Sequence, residues 1–188
     1  MRRRATALLL AAIAIPYIAT AAVSVSMPVP ADVQLALFRN IWKLDRNFDG
    51  TKQITLAIVY QESYNESVAA KDDLLAAIAQ QKLPIVPILM DAKSQQLLSS
   101  RLHDVDAEFV YVTPLRALDV SEIGRIGRFH RFRTLTGVPE YVEQGIAVGI
   151  GLRRDRPLII INLEQSRAEG ASFSSQLLAL ARIVGPVL

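Results

Sequence analysis

Cysteine is absent from the sequence, so the fold has no disulfides to rest on and no lipid can be attached to a cysteine at a processing site. Histidine occurs twice, as His103 and His130, in unrelated segments without metal-ligand spacing, which argues against a zinc site. No G-x-S-x-G elbow occurs, and "SFSSQ" has no nearby histidine. Ser172, Ser174 and Ser175 therefore read as helix-capping residues. The chain also lacks internal repeats and, beyond its N-terminus, low-complexity tracts.

What the N-terminus does contain is "MRRRATALLLAAIAIPYIATAA": three arginines, an apolar run from Ala5 to Ile15, a breaker at Pro16 and a small-residue site at Ala19-Thr20-Ala21. This is the pattern of a secretory signal peptide over residues 1–21. The formal charge of +3 then disappears with Arg2, Arg3 and Arg4, because eighteen basic side chains face eighteen acidic ones in the remainder. Nothing in that balance points to nucleic acid.

Residues 22–30 read as a linker, and residues 31–188 as a single domain, a normal size for one hydrophobic core. Ala31 to Phe48 carries apolar residues at helical spacing, with Trp42 flanking the apolar face. "KQITLAIVY", "PIVPILM", "EFVYVT" and "RTLT" read as strands, Pro87 placing the second near an edge. Helices are expected over about 68–81, 94–102 and 120–131. Alternating apolar strands and helices predict an α/β fold: a mostly parallel, doubly wound sheet with helices on both faces.

"GIAVGIGLRRDRPLIIINLEQS", residues 145–166, resembles a phosphate loop only superficially. Its glycines are spaced G-x-x-x-G-x-G, and no helix follows the first strand. Ile146, Val148, Ile150 and Leu152 alternate with small residues, "RRDRP" is a polar turn, and "LIIIN" returns. An antiparallel β-hairpin is expected, with Gly149 and Gly151 admitting a helix close to the sheet, and then a closing helix.

Asp72 and Asp73 are helix neighbours that point apart, and read as solvated charges. In "GRIGRFHRFR", arginines interleave with Phe129, His130 and Phe132. One reading packs Ile123, Ile126 and Phe129 inward and lays the arginines over the sheet edge. The other makes the segment a contact surface for an acidic protein, an anionic ligand or lipid headgroups. Arg125, Arg128 and Arg131, together with Trp42, are the candidate partner-binding residues. Ligands of doubly wound sheets bind beyond the carboxyl ends of the strands, where Gln61, Glu62, Ser63, Tyr64 and Thr113 converge without a reactive constellation.

The last third of the chain carries Gly145 before the hairpin, Ile161-Asn162-Leu163 at its end, Arg167 and Gly170 in a turn, and Ser174-Ser175-x-Leu177-Leu178-x-Leu180-Ala181. In these residues it resembles the YfiR/HmsC-type periplasmic family. Gly145, Asn162, Gly170, Ser174, Leu177 and Leu178 are the structural motif. The resemblance implies a periplasmic, non-enzymatic α/β regulator without cofactor. Such a regulator restrains a membrane-anchored signalling protein, a diguanylate cyclase in the best-known case, and so affects cyclic-di-GMP and biofilm. The partner would be the periplasmic part of an inner-membrane protein, which gives the only link to the membrane; a homodimer is left open. Two departures are the missing disulfides and Gln144-Gly145 in place of a glycine pair. The alternative is a periplasmic sensor module for a small ligand.

The exported form is expected to begin near Ala22. Intact-mass spectrometry of protein from the cell envelope checks this: a chain retaining Met1 to Ala21 would establish an uncleaved anchor instead.

Overall fold

The computed structural model describes residues 27–50 and 52–185; the expected signal peptide lies outside them. Seven strands form one sheet in the order β2-β1-β3-β4-β5-β6-β7. The strands are β1 (Ile54–Tyr60), β2 (Ile85–Asp91), β3 (Phe109–Val112), β4 (Arg133–Thr136), β5 (Val148–Arg153), β6 (Arg156–Asn162) and β7 (Arg182–Val184). The first five are parallel, β6 runs against β5, and β7 runs with β6.

β1 and β3 are almost wholly apolar because both of their faces are covered. Ile54, Leu56 and Ile58 of β1 and Phe109 and Tyr111 of β3 point to one layer, while Ala57, Val59, Val110 and Val112 point to the other. On the first face lie α1 (Ala31–Lys43), α2 (Asn65–Gln80) and the buried Leu177 of α7 (Ser175–Leu180). The second face receives α3 (Gln95–Asp104), α4 (Val120–His130) and α5 (Glu140–Glu143). Helices on both faces of a mostly parallel sheet match the sequence expectation, and β2, with its Pro87, is an edge strand.

Several boundaries differ from that expectation. The first helix ends at Lys43 instead of Phe48, because Asp45 turns the chain. Its carboxylate accepts hydrogen bonds from the Asn47 and Ser172 amides at 3.0 and 2.8 Å and pairs with Arg133 at 2.7 Å. Leu44 and Phe48 still pack on the same core. Met27 and Val29, at the end of the expected linker, pack there too. Asn162 does not merely turn the chain: its Oδ1 accepts from the Gln165 amide at 3.0 Å and starts α6 (Leu163–Ala168). Ser174 caps α7 as expected, accepting from Leu177. That helix stops at Leu180, and Arg182–Val184 pairs with β6 as a strand. The outer edge of β6 thereby gains the backbone partners it would otherwise lack.

The hairpin is present, but its turn is only Arg154-Asp155, both with positive φ, so Arg153 and Arg156 belong to the strands. Two left-handed residues give the turn a twist that matches the strands. Gly149 and Gly151 face α5 and the proline before it. A Cβ on Gly149 would collide with Val142, and one on Gly151 would stand 3.0 Å from Pro139. On α4, a Cβ on Gly124 would strike the carbonyl of Gly145, a backbone atom that cannot rotate away.

Gly124→Ala and Gly149→Val are each expected to destabilise the fold by about 1–3 kcal/mol through overpacking. Gly50→Ala, whose new methyl meets only Phe48 at 3.8 Å, is expected to stay within about 0.5 kcal/mol of the parent. Urea denaturation of the three variants checks the ranking.

Candidate functional site

The strand order reverses at β1. From there the chain moves outward through α2 to β2, then crosses back through α3 to β3 on the other side. The connections therefore part above the carboxyl ends of β1 and β3, the point at which open α/β sheets form a crevice. Gln61, Glu62, Ser63, Tyr64 and Thr113 meet there, and a hydrogen-bonded frame fixes them. Ser67 Oγ accepts from the Gln61 amide at 2.8 Å and shares a hydrogen bond of 2.6 Å with Thr113 Oγ1, which donates to the Val59 carbonyl. Gln61 Oε1 accepts from the Arg116 amide at 2.9 Å, and the Arg116 guanidinium lies 4.0 Å over the Tyr64 ring. Tyr141 clamps the same loop, its hydroxyl accepting from the Leu115 amide at 2.8 Å; burial pushes its phenol up and keeps it neutral.

The neighbouring end of β2 adds Asp91. Its Oδ1 accepts from the Glu62 amide at 3.0 Å, whereas Oδ2 makes no hydrogen bond and faces the Lys93 ammonium only at 3.7 Å. Glu62, Ser63, Asp91 and Lys93 line an open hollow of about 370 Å³. With carboxylates, an ammonium and a hydroxyl on its walls, it can hold a small polar molecule, and among the described residues no hydrogen bond joins the Ser63 hydroxyl to a base. Ser67, Asp91, Lys93 and Arg116 were not picked out from the sequence. The signal for Asp91 was legible, since it is the carboxylate that directly follows the apolar run of β2.

The residues expected to contact a partner are scattered by the fold. Trp42 is 4% exposed and packs on Phe109 with ring centroids 4.5 Å apart. The expectation that it offers an exposed contact is therefore corrected: α1 turns this ring into the core. Arg125 is held by Glu122 through two hydrogen bonds of 2.6 Å, and Arg131 ends α4 with a φ of 61°. Phe129, expected inside, is 74% exposed, because Ile123 and Ile126 already fill the buried face of α4. The two histidines, expected apart, meet across α3 and α4. His103 Nδ1 and His130 Nε2 share a hydrogen bond at 2.7 Å, with Phe129 against both rings. They remain a pair: no group of three or more metal-ligating side chains occurs among the described residues.

Arg128 donates to Gln165 Oε1 and so joins a buried polar network. Gln165 Nε2 donates to Glu169 Oε1 at 2.7 Å and to the Gly124 carbonyl at 2.7 Å. The Thr134 amide and hydroxyl donate to the two oxygens of Glu169 at 2.8 and 2.7 Å. Burial pushes the Glu169 carboxyl up to about 7, against the pull of these donors and of Arg133.

No family model matches the chain, and no curated protein matches it. Among solved structures, it is similar to an ABC domain in complex with L-Trp from Streptococcus pneumoniae, with a TM-score of 0.64 and 12% identity over 82% of this chain and 62% of that one. It is also similar to the ligand-free, open structure of CD0873, a substrate binding protein with adhesive properties from Clostridium difficile (TM-score 0.61, 14% identity, 84% of this chain and 60% of that one). A conserved domain protein from Vibrio cholerae gives 0.59 and 13% identity over 82% and 60% of the two chains. The fold is thus an α/β fold similar to periplasmic-binding-protein-like domains, and the chain spans about three fifths of the length of these structures.

Because folding raises the Glu169 pKa, the native state keeps a proton that the unfolded chain releases between about pH 4.5 and 7. Stability from this group is full below that window, falls as pH rises through it, and is level above. The fall is about 3 kcal/mol, at about 1.4 kcal/mol per pH unit. Urea midpoints between pH 5 and 8 check this, with Glu169→Gln expected to lose the slope at a constant cost.

Proposed function

We propose that this chain is a non-enzymatic sensor module that works outside the cytoplasm and takes a small polar ligand at the carboxyl ends of β1, β2 and β3. The observation that carries this reading is Asp91. Its Oδ2 is buried without a hydrogen-bond donor, and the residue lines a hollow at the switch point of the sheet together with Lys93 and the Glu62-Ser63 loop. The Gln61–Ser67–Thr113 frame holds those walls before a ligand arrives, which lowers the ordering cost of binding. The fold likeness supports the same reading, since two of the similar structures are named for a bound L-Trp and for substrate binding. Export rests on the signal-like N-terminus.

A second reading, the YfiR/HmsC-type regulator of a membrane-anchored diguanylate cyclase, is favoured by one feature. Phe129 stands out of α4 between Arg125, Arg128 and Arg131, an exposed aromatic among cations of the kind that anchors protein interfaces. A sensor whose ligand state altered that face would combine both readings, provided that the partner prefers one of the two states.

Thermal shifts with a panel of amino acids, amines and small dicarboxylates separate them. A true ligand at a hundred times its Kd adds about 2.7 kcal/mol, a rise of roughly 5–10 °C for a chain of this size, and Asp91→Asn is expected to abolish the rise. If every compound leaves Tm unchanged, while an envelope protein co-purifies with the wild type and is lost on Phe129→Ser or Arg128→Glu, the regulator reading replaces the sensor one.

A further inference from the structure

We propose that the hollow at the amino-terminal ends of β1 and β2 binds the carboxylate of a small apolar organic acid. This end of the sheet is opposite to the Gln61–Tyr64 loop, so the proposal stands apart from the sensor site. Trp42 lines the hollow, and its indole Nε1 is buried without any hydrogen-bond partner among the described residues. Buried N–H groups are almost always paired, and an orphan on a residue that lines a cavity points to an acceptor the described residues do not supply. Arg39 and Lys43 line the same hollow from α1, where a spacing of four puts them on one face, with Trp42 beside Arg39 one turn on. Neither makes an ion pair among the described residues, and no acidic side chain lines the space.

The remaining walls are apolar, formed by residues such as Phe48, Ile54 and Leu83. The volume is about 120 Å³, close to the ~150 Å³ at which an apolar cavity accepts benzene. One neutral donor and two cations beside an apolar wall match a carboxylate joined to a short branched or aromatic body. A hydrated inorganic anion would leave the wall unused, and an uncharged hydrocarbon would leave the N–H unpaired. Lys43 in the last turn of α1 also complements the helix dipole. That role explains neither the orphan N–H nor the hollow.

Trp42 is the single tryptophan of the sequence, so its indole N–H gives one resolved proton–nitrogen resonance. Titrating isovalerate into the labelled protein is expected to move that resonance downfield in a saturable manner. 3-Methylbutanol, with the same body and no charge, and sulfate, with charge and no body, are expected to need at least tenfold more. Arg39→Gln with Lys43→Gln is expected to raise the isovalerate midpoint at least tenfold without lowering Tm by more than a few degrees. Trp42→Phe keeps an aromatic side chain but removes the N–H, and is expected to abolish the rise in Tm that isovalerate gives. Asp91→Asn, at the other end of the sheet, leaves the titration unchanged. An indole resonance unmoved by isovalerate, moved equally by the alcohol, or indifferent to the double charge substitution overturns the proposal; the charge variants decide it even where Trp42→Phe fails to fold.

Discussion

A single buried carboxyl group joins the two halves of this molecule. Glu169 follows α6, in the antiparallel C-terminal part, yet its oxygens accept from the amide and hydroxyl of Thr134 on parallel strand β4. Thr134 Oγ1 in turn accepts from the Ala147 amide at 2.8 Å, at the entrance to the hairpin. Gln165 ties the same carboxyl to α4. A charge or polar group in such a place is destabilising unless every partner is present. The surrounding sequence follows from that demand. Gly127 leaves the space in which Glu169 Oε1 would stand 2.9 Å from any Cβ, and Gly124 lets α4 reach the Gly145 carbonyl. With this joint in place, β5 can lie beside β4 and the sheet can continue to β7.

The far side of the sheet is held by a second buried carboxylate, this one in an ion pair. Asp45 and Arg133 pair at 2.7 Å with the carboxylate almost fully buried, and Asp45 also receives the Ser172 amide. The connection after α1, the start of β4 and the segment before α7 are thus fixed at one point. Both joints use polar groups buried beneath loops. An interior assembled only from apolar residues would leave these loop amides without acceptors.

The rigid joints leave the carboxyl ends of the central strands free to carry function. The loop after β1 is framed by side-chain hydrogen bonds, and the loop after β3 is held by Tyr141, with Ala117 in the left-handed region at a φ of 54°. Such backbone strain persists where the surroundings fix it, and it gathers at ligand sites. The sensor reading draws on this end of the sheet, the regulator reading on the exposed aromatic and basic face of α4. Between them the chain runs without a break, from the Leu115–Ala117 loop through Leu118 and the capping Asp119 into α4.

By itself the sequence determined the layers, because apolar periodicity follows directly from which faces are buried. β4 begins and ends at the residues that "RTLT" spans, Pro87 announced an edge, and Ser174 announced a helix start. The glycines of the hairpin announced the close approach of a helix. Tertiary structure alone decided matters that depend on partners distant in sequence. Whether Trp42 faces in or out turns on Phe109, sixty-seven positions away. His103 and His130 became neighbours only when α3 and α4 packed together. Phe129 was turned outward by competition with Ile123 and Ile126 for one buried face of α4. Arg182–Val184 became a strand because β6 offered an unpaired edge. Asp91 acquired meaning when the strand order placed its carboxylate beside the β1 loop. Local pattern records burial, whereas a site is a meeting of side chains, and only the order of the strands decides which side chains meet.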